Sequence, residues 1–178
     1  MDKERYKKFE HEALGWIKRL ENYNEGPFKK KISETEWSMG ELYQHLFVST
    51  LYYHIKNCRD CIAKQNGKIG GNKTFKGILS STFGSYQVGK LSPEINKKHP
   101  PEQPESISVA KDRLIKLLKE MEKLNYEVNK LTKEDLKYKI QHPFLGYLNA
   151  KEWYDDVEMH FRHHLKQREK IERTLVIH

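Results

Sequence analysis

The residues best suited to chemistry lie towards the C-terminus, in His160-Phe161-Arg162-His163-His164. The stretch around them, Trp153 to Gln167, holds neither Pro nor Gly. Asn149-x-x-Glu152 just before it has the form of a helix N-cap whose carboxylate reaches back from the first turn. On a helix, His160 and His164 are i and i+4, one turn apart on one face. Two imidazoles so placed can hold one metal ion. Trp153, Val157, Gln167 and Ile171 fall on the same side, so this face is expected to turn inward. Two histidines satisfied by hydrogen bonds alone would show the same spacing, which leaves both readings open.

Positioning such a pair requires a frame, and the apolar periodicity supplies one. Tyr6, Phe9, Ala13, Trp16 or Ile17, Leu20 and Tyr23 mark a first helix over roughly residues 2 to 24, ended by Gly26-Pro27. Ser38-Met39-Gly40-Glu41 reads as a capping box opening a second helix that runs to about Lys64 and is apolar nearly all round. After Ser106 or Ser108 as cap, Ile107, Ala110, Leu114, Leu117, Met121, Leu124, Val128 and Leu131 give a third helix in steps of three and four. The fourth runs from about Asn149 to Thr174. Residues 66 to 105, rich first in Gly and then in Pro, break the rhythm and read as a crossover, with a short helical turn at Gly77 to Tyr86. Thr132 to Leu148 reads as a loop, and no segment reads as a strand. The expected fold class is all-α, a four-helix bundle with a long crossover between helices 2 and 3, forming one domain over residues 1 to 178.

A third ligand has to face His160 and His164 from another helix. His11 sits on a polar-leaning edge between Glu10 and Glu12. His45 is better placed, two turns into the second helix with Leu42, Ser49 and Tyr52 around it. At about 100° per residue, His54, Cys58 and Cys61 point nearly opposite to His45, so one ion cannot gather both groups. His142 precedes Pro143 and is biased towards extended backbone, so only a loop could bring it near. His45, His160 and His164 would form a three-nitrogen site with open positions, suited to zinc with one water or to nickel or iron with several.

Trp37-Ser38-Met39-Gly40-Glu41-Leu42-Tyr43-Gln44-His45-Leu46 resembles the W-S-x-x-E-L-x-x-H-L entry of the second helix in the DinB superfamily. His142-Pro143-x-x-Gly146-x-Leu148-x-x-x-x-Trp153 through His160-x-x-His163-His164-x-x-Gln167 is similar to that family's other signature. The resemblance covers essentially the whole chain. It implies a four-helix bundle in which His45, His160 and His164 hold a nickel- or zinc-type ion. It also implies chemistry of the hydrolase or thiol S-transferase type, with water or a low-molecular-weight thiol activated against a small-molecule substrate. The rival expectation is a non-catalytic bundle whose metal staples helices 2 and 4.

Around the three histidines, five residues are candidates for support. Glu41 could orient His45, although the capping box already explains it. Asp156, one turn before His160, could accept an imidazole N–H or stand as a solvated acid. His163 could replace His164 if the helix were rotated, and otherwise lies on the substrate side. Gln167 and Tyr52 are expected to face the site.

Composition narrows the remaining classes. The 178 residues include 33 Lys and Arg against 25 Asp and Glu, a formal charge of +8. The lysines are interleaved with Glu along the helices, and no aromatic-basic motif accompanies Lys29-Lys30-Lys31 or Lys97-Lys98, which argues against nucleic acid. No apolar run approaches the roughly 20 residues needed to span a bilayer, and the N-terminus lacks the apolar segment of a signal peptide. A cytoplasmic protein without membrane contact is expected. Cys58 and Cys61, a lone C-x-x-C late in an apolar helix, read as reduced, semi-buried thiols. The apolar side of the second helix at Phe47, Leu51 and Ile55 predicts a homodimer.

Overall fold

The structure, a computed structural model, describes residues 4–86 and 101–175. It is mostly helical, with a small three-stranded sheet. Helix α1 (Glu4–Leu20) buries Phe9, Ala13, Trp16, Ile17 and Leu20, as its periodicity predicts. A short helix α2 (Glu25–Lys29) follows. The next long helix begins at a complete capping box. Ser38 Oγ accepts from the Glu41 N–H at 3.0 Å, and Glu41 Oε2 accepts from the Ser38 N–H at 2.8 Å. It runs as α3 (Met39–Ser49), a π-helical segment (Thr50–Ile55) and α4 (Lys56–Ile62). Ser106 caps α6 (Ile107–Asn129), which packs its apolar stripe on α1 and α3.

The fourth expected helix is divided. Helix α7 (Ala150–His163) opens on a second capping box between Asn149 and Glu152, and α8 (Leu165–Leu175) continues beyond His164. Edge-to-face rings at the centre of the molecule tie α1, α3 and α7 together. Phe9 meets Phe161 at 5.4 Å between centroids, and Trp16 meets Tyr43 at 5.2 Å. Phe47 and Ile55 are buried within the chain itself, with Arg113 of α6 lying over the Phe47 ring at 5.7 Å. Leu51, the third residue of that side, is only half-buried.

Two expectations are corrected. The stretch 132–148 is not a plain loop, because Tyr138–His142 (β2) and Gly146–Leu148 (β3) form an antiparallel hairpin. In the crossover, Lys68–Ile69 (β1) pairs with β2, a strand the sequence did not suggest, whereas the helical turn expected at Gly77 to Tyr86 is present as helix α5 (Phe75–Phe83), capped by Thr74; residues 87–100 lie outside the described residues. β1 and β3, at two and three residues, are too short for alternation to register, and tertiary pairing decides the sheet.

The tip of the hairpin is where the two segments are sewn together. The Thr74 N–H donates to the Leu145 carbonyl at 3.0 Å, the Thr74 hydroxyl to the Phe144 carbonyl at 2.6 Å, and the Tyr147 N–H to the Asn72 carbonyl at 3.1 Å. Gly146 adopts φ +81°, and a Cβ there would lie 2.5 Å from the Thr74 nitrogen. Only glycine meets both demands. Gly146→Ala is therefore expected to lower stability by about 2 kcal/mol or more, read as a fall in urea midpoint at unchanged slope.

Candidate metal centre

Three imidazoles meet between α3 and the junction of α7 with α8. His160 Nε2 lies 3.1 Å from His45 Nε2 and 3.1 Å from His164 Nε2. Among the described residues this is the group of His, Cys, Asp and Glu whose ligand atoms gather within 4.8 Å of one another. His160 and His164 are buried and His45 partly so, with the Trp37 ring against it at 4.8 Å. The i,i+4 spacing thus brings its pair together, and the motif tryptophan walls the third ring.

The geometry suits one ion. Zinc–nitrogen bonds of about 2.0–2.1 Å set two nitrogens about 3.0 Å apart at a right angle and about 3.4 Å apart at the tetrahedral angle. The two 3.1 Å spacings from His160 fall in this range, and all three ligand atoms lie within 4.8 Å of one another. The protonation state suits an ion as well. His164 Nδ1 lies 2.9 Å from Gln167 Oε1, so this nitrogen donates and leaves the Nε2 lone pair turned towards the cluster. Burial, with the neighbouring imidazoles adding to it, pushes His45 down to about 3 and His160 well below the usual histidine range. Burial also takes His164 down to about 4, against the bond from Gln167. At neutral pH the three rings are uncharged and each offers a lone pair.

Asp156 departs from expectation. It does not orient His160, whose Nδ1 is buried without a hydrogen-bond partner. Instead it is the fully buried hub of a second cluster. Tyr86 donates its hydroxyl to Asp156 Oδ1 at 2.7 Å. Oδ2 lies 3.2 Å from His54 Nε2 and 3.6 Å from His142 Nε2, close ionic approaches rather than well-angled hydrogen bonds. The backbone fixes the tautomers here. His142 Nδ1 accepts the Phe144 and Leu145 N–H groups at 3.2 and 3.1 Å, so its proton sits on Nε2, facing Asp156. His54 Nδ1 sits 2.9 Å from the Ser49 carbonyl and must donate to it. A neutral His54 would then aim a lone pair at a carboxylate, so one further proton lies between them. Burial pushes Asp156 up, but His54, His142 and Tyr86 together outweigh it and hold the carboxyl below its usual range.

His54 is the residue that helical phase misplaces. It does not point away from the three histidines, for its ring lies 5.0 Å from that of His160. The π-helical segment Thr50–Ile55 is the cause, because wider i→i+5 turns lag behind α-helical phase. Ser49 Oγ back-bonds to the His45 carbonyl at 2.6 Å where the segment begins. A Ser-Thr pair in mid-helix was the signal that could have revealed it.

The remaining candidates divide. Gln167 holds His164 as expected. His163 is half-buried beside the cluster, between the rings of Tyr86 at 5.3 Å and His164 at 5.2 Å, and is not among the three ligands. Glu41 is committed to its cap and to Lys31 at 2.9 Å. Tyr52 does not face the site; it is 64% exposed. Cys58 and Cys61 are free and fully buried, donating to the Ala150 carbonyl at 3.1 Å and the Leu148 carbonyl at 3.7 Å. Burial pushes the Cys61 thiol up to about 12, which removes it from thiolate chemistry. Comparison with family models, curated proteins and solved structures returns no match.

The depressed histidines make a stability prediction. Burial takes His142 down to about 4 alongside His45 and His164, whereas the unfolded chain protonates near pH 6.5. Below that pH the unfolded state gains protons that the folded state refuses. Stability is complete above about pH 6.5 and falls as pH drops towards 4, by up to roughly 1.4 kcal/mol per pH unit for each histidine. Urea melts in the presence of a chelator, compared at about pH 7 and about pH 5, read this slope. His45→Leu should flatten it.

Proposed function

We propose that the protein is a metal-dependent enzyme of the DinB type, a four-helix bundle with a crossover whose open three-histidine site activates water or a low-molecular-weight thiol against a small electrophile. The observation that supports this most is the convergence of three imidazole nitrogens from two separate stretches of chain, with His160 Nε2 at 3.1 Å from each of the other two. His45, His160 and His164 would hold nickel or zinc, leaving other coordination positions open.

The ion would supply Lewis acidity, lowering the pKa of a water or thiol in reach. The chain's own residues do the rest. Gln167 fixes the His164 tautomer, and Trp37 restricts the His45 ring. His163 and Tyr86 lie beside the ligands on the side where the chain leaves α5, so they are the side chains set to meet a substrate. Asp156 sets a buried carboxylate close to the ligands, with His54, His142 and Tyr86 around it.

Elemental analysis of protein purified without chelator should find about one ion per chain, absent from His45→Ala and His160→Ala. Stoichiometric metal in either variant would falsify the ligand assignment. Gln167→Ala should weaken metal binding about tenfold to a hundredfold without abolishing it. Metal-dependent transfer of a low-molecular-weight thiol to a chlorinated or epoxide acceptor tests the chemistry.

The burial of His160 and His164 favours a second reading, in which the metal only staples α3 to α7 and α8. That reading expects a large fall in Tm on chelation and no turnover with any thiol or ester.

A further inference from the structure

We propose that the sheet and α5 together form a docking surface for an anionic lipid bilayer, held at the headgroups by lysines and seated by exposed apolar side chains. This goes beyond the metal centre and stands without it. Residues 61 to 86 and 136 to 151, which β1, β2, β3 and α5 bring together, contain no Asp or Glu. They carry Lys64, Lys68, Lys73, Lys76, Lys137, Lys139 and Lys151. With these seven of the 33 basic residues set apart, 26 remain against all 25 acidic ones, so the rest of the chain is almost neutral. With Asp135 and Glu152, which pair with two of these lysines, counted in, the cap still carries five of the eight net charges.

The strand register sharpens the case. Lys68 stands directly opposite Lys139 in the β1–β2 pair. Like charges facing each other across a ladder oppose pairing, unless something negative is meant to lie over them. Lys68 Nζ rides 4.4 Å above the Tyr147 ring, and Lys139 donates to the Gly71 carbonyl at 3.1 Å. Not all of the lysines are free, for Lys73 pairs with Glu152 at 2.7 Å and Lys64 with Asp135 at 3.2 Å.

Helix α5 is turned inside out. Its buried positions are the small residues Gly77 and Ser80, with Gly77 set against the Leu145 carbonyl. The large residues Phe75, Ile78 and Phe83 are 74%, 53% and 65% exposed, and Ile69 of β1 is 74% exposed. At 100° per residue, Ile78, Thr82, Phe75, Leu79 and Phe83 fill one arc of about 140°. A soluble helix normally turns such a face to the core. Phe and Ile beside lysines suit the boundary of headgroups and acyl chains. Nucleic acid fits less well, since the cap contains no Arg and its exposed aliphatic side chains offer nothing to a phosphate backbone. No helix among the described residues is long and apolar enough to cross a membrane, so the contact is peripheral.

Sedimentation of the metal-loaded protein with phosphatidylcholine vesicles, with and without phosphatidylserine, tests this. The wild type should pellet with the anionic vesicles only, and less so as salt rises. Lys68→Gln and Lys139→Gln should each weaken binding about fivefold, the worth of one surface charge against an anionic leaflet. Phe75→Ser with Phe83→Ser should weaken it at least about tenfold, both positions being exposed and outside the core. Equal binding to neutral and anionic vesicles, binding to neither, or lysine-dependent retention on duplex DNA without vesicle binding would overturn the proposal.

Discussion

Imidazoles in a protein interior must find something for their ring nitrogens to meet, and here the Nε2 atom of His160 meets those of His45 and His164. That demand organises much of the molecule. His160 and His164 are placed by a helix opened with a capping box, and His45 by another such helix. The aromatic centre built from Phe9, Trp16, Tyr43 and Phe161 holds the two helices at the distance the nitrogens need. Loosening those rings would cost more than their own burial, because the histidines would then face an apolar gap without partners.

The second buried cluster gathers around a carboxylate instead. Where burial holds the three histidines down, His54, His142 and Tyr86 hold Asp156 below its usual range. The π-helical segment makes this neighbourhood possible, by carrying His54 round to a carboxylate that α-helical phase would not let it reach. Tyr86 then joins the chain beyond α5 to the same carboxylate. One buried acid thus links three separate stretches of chain and sits one turn from a ligand. Removing it would leave His54 and His142 facing a buried gap without their shared carboxylate.

Much of this was legible in the sequence, for reasons that are local. Capping boxes, i,i+4 spacing and heptad steps are properties of neighbouring residues, so Ser38, Asn149, His160 with His164, and the stripe from Ile107 to Val128 could be read directly. His45 was legible because its helix stays α-helical as far as Ser49. Beyond that the phase count fails, and with it the placement of Tyr52 and His54. The hairpin escaped because Tyr138–His142 and Gly146–Leu148 are decided by pairing with each other and with β1, not by their own alternation. Asp156 was singled out with the wrong partner, since nothing in the spacing says that Tyr86 and His142 would claim it first.

The segregation of charge described for the cap has a consequence for the molecule as a body. A chain whose net charge lies mostly at one end has an uneven electric field around it. Such a field turns a molecule before contact, so a negatively charged object tends to meet the cap rather than the rest of the surface.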